Sequence, residues 1–100
     1  MSSYDTTTVE QLKARLDAGE KLHLIDVRED DEVAYGMIDG AVHIPMGQIP
    51  ERLADIPKDE EVIFICRSGS RSGRVCEYLA AQGFGKTVNM LGGMLAWDNL

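Results

Sequence analysis

Val62-Ile63-Phe64-Ile65 is an unbroken apolar run of β-branched and aromatic residues, and at that length it reads as a fully buried strand. It gives way abruptly to Cys66-Arg67-Ser68-Gly69-Ser70-Arg71-Ser72, small residues and two arginines beside a single thiol. From Gly73 to Gln82 apolar residues recur at helical spacing, and Gly83 ends the pattern. A cysteine thus sits where a buried strand ends and a short loop leads into a helix. Loop amides with a glycine among them can turn inward as a nest, and the helix N-terminus adds partial positive charge. That geometry favours an anion. A thiol held there ionises more readily than a free one, because its thiolate is the anion those dipoles stabilise, and Cys66 is the candidate for chemistry.

The remaining segments alternate between the same two kinds. Thr7-Thr8-Val9-Glu10 has the form of a capping box, with Thr7 as N-cap and Glu10 three residues on; Val9, Leu12 and Leu16 share a helix face, and Gly19 closes the helix. Leu22 to Val27 reads as a buried strand running into a polar segment, Asp26 to Glu32. Glu29 to Tyr35 is a short acidic helix broken by Gly36, and Ala41 to Pro45 is a brief strand. Ile49, Leu53 and Ile56 mark another short helix, with Pro50 in its first turn. Thr87 to Met90 is a last strand, and Gly92-Gly93 turns the chain into a terminal helical turn carrying Met94, Leu95 and Trp97. Strands alternating with helices imply a parallel α/β sheet with helices on both faces. Ligands of such sheets sit outside the carboxyl ends of the strands, where this pattern puts Cys66 and also Asp26 to Arg28.

No repeat or linker divides the chain, and residues 1–100 are read as one domain. The net charge of −7 argues against nucleic acid as a partner. No apolar run is long enough to span a bilayer, and Met1-Ser2-Ser3-Tyr4-Asp5 lacks a secretion signal, so the expectation is a cytoplasmic protein with no membrane partner. Cys66 and Cys76 are then both reduced, with Cys76 on a helical stripe with Leu79 and Ala80 as a core thiol, and no metal site is expected. His23 and His43 read as structural histidines, Trp97 as core packing, and Arg74 as a solvated pair with Glu77.

Three separated segments carry a resemblance to the single-domain rhodaneses: Asp26-Val27-Arg28-Glu29 with Glu32 following, Gly36 through Pro45, and Cys66 through Ser72; Gly92-Gly93-Met94-Leu95-Ala96-Trp97 resembles the family's closing motif. The resemblance implies a rhodanese-like fold with a mainly parallel five-stranded sheet, one strand more than the sequence pattern displays. It implies a sulfurtransferase of the thiosulfate type: Cys66 accepts a sulfane sulfur as a persulfide, the loop residues Arg67, Ser68, Gly69, Ser70, Arg71 and Ser72 cradle it, and Asp26 and Arg28 support the site. The partners it implies are a small anionic sulfur donor such as thiosulfate and a thiophilic acceptor, cyanide, a thiol or an unidentified protein. No cofactor is expected, because a thiolate and fixed dipoles supply both nucleophile and anion stabilisation.

Arg71 is read either as a host for the donor or as a pin on the loop through backbone carbonyls. Asp26 and Arg28 are read as an ion pair or cap ahead of a catalytic role. Met37 and Asp30 stand where the family often has histidine and proline. Two other functions come into view: a sulfur-carrier or interaction module, and a phosphatase or arsenate reductase of related fold. The last needs five residues between cysteine and arginine, whereas four separate Cys66 from Arg71, a smaller ring that suits a sulfur atom better than a phosphoryl group.

Overall fold

In the computed structural model, which describes residues 3–100, the apolar run becomes strand β4 of a five-stranded sheet. Met1 and Ser2, part of the stretch read for a secretion signal, lie outside the described residues. In chain order the elements are β1 (Asp5–Thr7), α1 (Val9–Asp17), β2 (His23–Asp26), α2 (Asp30–Val33), β3 (Val42–His43), a 3-10 helix (Met46–Asp55), β4 (Val62–Ile65), α3 (Ser70–Ala81), β5 (Thr87–Met90) and α4 (Gly93–Trp97). The sheet order is β1-β5-β4-β2-β3, and every pair is parallel.

β4 is central because nothing in it tolerates water: all four of its residues are 0% exposed. Its side chains alternate between two cores. Val62 and Phe64 pack with Ile25, Ile49, Val75 and Leu79 under α3 and the 3-10 helix, while Ile63 and Ile65 pack with Leu24, Val9, Leu12 and Met94 under α1 and α4. Each such side chain contributes about 2 kcal/mol by leaving water. Helices therefore cover both faces, as the alternation of segments implies. No helix among the described residues is long and apolar enough to cross a membrane.

Three local expectations need correction. The α1 N-cap is Thr8, not Thr7; its hydroxyl accepts from Gln11 N, and Gln11, not Glu10, returns the bond to complete the box. Thr7 instead ends β1, the fifth strand, which pairs with β5 from Asp5↔Val88 to Thr7↔Met90. Asp5-Thr6-Thr7 has no apolar signature, and only the free edge of β5 makes it a strand. The segment 46–55 is a 3-10 helix with a break at Arg52.

β2 leads to its outer neighbour β3, while β4 leads the other way to β5, so the gap between β2 and β4 is a switch point at which a crevice opens beyond the carboxyl ends. Cys66 follows β4 there, and Asp26 ends β2 with Val27 and Arg28 following it. The first turn of α4 closes over this edge: Met94 N donates to the Cys66 carbonyl at 2.9 Å and Leu95 N to the Arg67 carbonyl at 3.0 Å. Gly93 permits that approach, since it has φ +58° and a Cβ on it would stand 2.4 Å from the Arg67 carbonyl and 2.6 Å from that of Cys66. Gly93→Ala is expected to destabilise the fold by about 3 kcal/mol, left-handed strain and overpacking together, as read by urea denaturation.

Candidate active site

Helix α3 begins at Ser70, three residues earlier than the apolar spacing indicates, and Gly69 caps it in the left-handed region at φ +98°. Ser70, Arg71 and Ser72 carry no apolar periodicity, so the sequence pattern assigns them to a loop; in the fold they are the first helical turn. Only Arg67 and Ser68 separate the cysteine from the cap. The chain thereby folds back on the thiol: Gly69 N donates to Cys66 Sγ at 3.1 Å, and the Ser72 hydroxyl oxygen lies 3.2 Å from the same sulfur. Cys66 is 0% exposed.

Burial raises the Cys66 pKa, but the Ser72 hydroxyl and the amides of Ser72, Gly69 and Ser68 together outweigh it, and the thiol is held below its ordinary value. Cys76, within α3 and also buried, has too few hydrogen bonds to offset its burial, which pushes it up to about 12. The two thiols, one before α3 and one within it, are thus opposites. Cys76 packs in the core with Val75 and Leu79, as its position on the stripe implies.

The charged residues around the loop pair with one another. Arg71 grips Glu32 through two bonds of 2.6 and 2.7 Å, which differs from both sequence readings of it: the guanidinium meets a carboxylate, not a backbone carbonyl. The pair lowers the Glu32 pKa to about 2, mainly through the Arg71 hydrogen bond. Asp26, fully buried, holds Arg28 through two of the guanidinium nitrogens at 2.8–3.1 Å, and Arg28 Nη2 also donates to the Gly36 carbonyl at 2.7 Å. Arg28 and Asp26 form a structural clamp on the β2–α2 turn. Arg67 is exposed, and among the described residues it joins no ion pair. Arg74, expected to pair with Glu77, makes no ion pair among the described residues; it lines a shallow apolar hollow with Ile49 and Tyr78.

A cleft of about 220 Å³ opens beside this cluster, lined by Arg28, Glu32, Tyr35, Arg67, Met94 and Leu95 among others. Larger hollows, of about 460 Å³ at Met37 and Trp97 and about 270 Å³ near His23, contain no residue of the Cys66 loop. Met37 lines the first of them beside α1, so the departure there lies away from the thiol. His23 is exposed and sits 3.4 Å from Glu60, and His43 Nε2 lies 2.7 Å from the Arg28 carbonyl; both have the structural surroundings expected of them. Trp97 is partly buried against the α1 side of the core.

Asn89 is the residue the sequence reading passes over. It is buried in β5, where its Nδ2 donates to the Gly69 carbonyl at 3.0 Å and its Oδ1 lies 2.5 Å from the Ser72 hydroxyl. The available signal is a lone amide in an otherwise fully buried strand, since a buried polar side chain must have partners.

A family profile for the rhodanese-like domain matches residues 8–100. A putative sulfurtransferase of Bacillus subtilis, YtwF, is 62% identical over 87% of this chain and 84% of its own length. YrkF of the same organism, named a putative sulfur carrier protein, is 36% identical over 96% of this chain and 52% of its own length. The crystal structure of a rhodanese-like domain protein from Staphylococcus aureus superposes with a TM-score of 0.88 at 41% identity, covering 93% of this chain and 90% of that one.

Two measurements check this geometry. Cys66 alkylation by iodoacetamide should show a pH midpoint below that of free cysteine, and Ser72→Ala should raise that midpoint by about half to one pH unit; Cys76 stays protonated over that range. Glu32 has a depressed pKa, so its contribution is fully present above the unfolded value of 4.5 and is lost as pH falls toward about 2. Because the pair is partly exposed, Glu32→Gln should cost about 1 kcal/mol at pH 7, with the difference from wild type fading between about pH 5 and 2 in denaturation series.

Proposed function

The chain belongs to the rhodanese-like domain family, and from that premise we propose that it is a sulfurtransferase working through a persulfide on Cys66. The observation that carries the proposal is the sulfur itself, buried at the N-terminus of α3 with the Gly69 amide at 3.1 Å and the Ser72 hydroxyl oxygen at 3.2 Å. The Cys66 thiolate attacks the outer sulfur of thiosulfate. The bond between that sulfur and the sulfonate breaks, its electron pair leaves with sulfite, and a new S–S bond remains on Cys66. A thiophilic acceptor, cyanide or a thiol, then attacks the terminal sulfur, and the electron pair of the S–S bond returns to Cys66.

The chain's own groups supply what both steps need. The loop amides stabilise negative sulfur with little reorganisation, because the backbone of Ser68 and Gly69 is already in place. Arg67, exposed at the cleft and in no ion pair among the described residues, is the guanidinium available to meet an anionic donor. Arg71 serves indirectly, fixing the first turn of α3 to α2 through Glu32. Asp26 and Arg28 hold the opposite wall. A reducing, cytoplasmic setting would keep the two free thiols reduced.

A carrier role shares this chemistry up to the persulfide, and the name of YrkF favours it as the second reading, with a protein as acceptor. A phosphatase is disfavoured by the four-residue spacing between Cys66 and Arg71 and by the engagement of Arg71 with Glu32.

Incubation with thiosulfate followed by intact-mass measurement should show the gain of one sulfur atom, lost in Cys66→Ser and discharged by cyanide as thiocyanate. An adduct that survives Cys66→Ser, or none at all, would refute the proposal. Slow discharge to cyanide with fast discharge to a protein thiol would mark a carrier.

A further inference from the structure

The two ends of the Asn89 amide can be told apart. Its Nδ2 faces the Gly69 carbonyl, which can only accept, so reversing the amide would set two acceptors 3.0 Å apart. Oδ1 is therefore the end that meets Ser72, at 2.5 Å. The Ser72 hydroxyl carries one proton, yet two acceptors face it, Asn89 Oδ1 and Cys66 Sγ at 3.2 Å. Gly73 leaves room for the amide, since a Cβ there would stand 3.2 Å from Asn89 Nδ2.

We propose that Asn89 is a positioning residue for Cys66 and that the Ser72 hydroxyl is a rotor between them, donating to Asn89 while Cys66 is a thiol and to Sγ once it is ionised. In the thiol state the S–H donates to Ser72 Oγ, and the Ser72 proton goes to Asn89 Oδ1, so every proton has an acceptor. On ionisation only the S–H bond breaks: the proton leaves to solvent water and the electron pair stays on Sγ. The Ser72 proton then turns to Sγ, and Asn89 Oδ1 loses its donor. Each ionisation thus costs one Ser72–Asn89 hydrogen bond, and Asn89 limits how far Ser72 acidifies the thiol. That limit is useful because thiolate nucleophilicity falls with pKa, and attack is fastest when the pKa lies near ambient pH. The benefit rests on the persulfide reading of Cys66; the rotor does not.

The charged groups of α3, β2 and β3 do not mimic this coupling, and the two other groups near the amide, the Tyr4 hydroxyl 3.3 Å from where a Cβ on Gly73 would stand and Asp5 on the neighbouring β1, are separated from it by the Cys66→Ser control below. On α3, Arg71 is paired with Glu32, and Cys76 stays protonated to about pH 12. Beyond β2, Asp26 and Arg28 pair with each other, and His43 at the end of β3 faces the Arg28 carbonyl and Asp30. Neither β5 nor α4 contains a titratable residue.

The side-chain amide resonances of Asn89 in nitrogen-labelled protein test the rotor directly. They should move with pH at the same midpoint as Cys66 alkylation, remain still in Cys66→Ser, and lose more than half of the movement in Ser72→Ala. Asn89→Leu should lower the alkylation midpoint by about half a pH unit where Ser72 is present, and should not lower it in combination with Ser72→Ala. A wild-type amide that does not respond, or an equal shift from Asn89→Leu in both backgrounds, overturns the rotor. The amide titration needs no folded variant of Asn89 and no turnover. A responsive amide without any sulfur adduct would refute the persulfide cycle and leave the rotor standing.

Discussion

A negative sulfur inside a protein persists only where donors replace the water it has given up. Cys66 is fully buried, and an uncompensated charge there would cost several kcal/mol. The donors come from a single turn of chain, Ser68 through Ser72, and the larger features of the fold serve to aim that turn. The carbonyls of Cys66 and Arg67 are taken by the amides of Met94 and Leu95. Since N–H and C=O of one peptide unit point opposite ways, holding the carbonyls toward α4 leaves the next amides directed inward. Gly93 is therefore part of the site's architecture, although it offers no functional group.

The same constraint governs the charged residues. Guanidinium groups near an anion could stabilise it directly, but here Arg28 and Arg71 are held by Asp26 and Glu32. The cost of burying the Arg28–Asp26 pair is offset by its multiple hydrogen bonds, and what it yields is a fixed β2–α2 turn opposite the thiol. Stabilisation of sulfur falls mainly to the neutral dipoles of Ser72, Gly69 and Ser68. Of these, the Gly69 amide is fixed in place by the backbone.

Much of this is legible in the residues. The apolar run at 62–65 announces a strand covered on both faces, and the cysteine after it, followed by small residues and a helix, announces an anion site. The acidic helix before Gly36 and the turn at Gly92-Gly93 are also readable, because capping residues and glycines act locally. The mismatches fall where local signals are silent. Asp5-Thr6-Thr7 has no strand signature, and Thr7 reads as a cap because Thr7 and Thr8 are equally able to cap a helix. The apolar spacing starts α3 only at Gly73 because polar residues in a first turn carry no periodicity. Arg71 cannot be paired with Glu32 from the sequence, since 39 positions separate them.

By itself the sequence determined the order of strands and helices from α1 onward, the position of Cys66 at a strand end, and the family to which its motifs point, since all of these depend on side-chain patterns over a few residues. Tertiary structure alone decided which donors reach the sulfur, where Arg28 and Arg71 find their carboxylates, and that a strand-borne Asn89 accepts from the Ser72 hydroxyl. These depend on the parallel packing of β4 between β5 and β2, which brings distant segments within hydrogen-bonding reach.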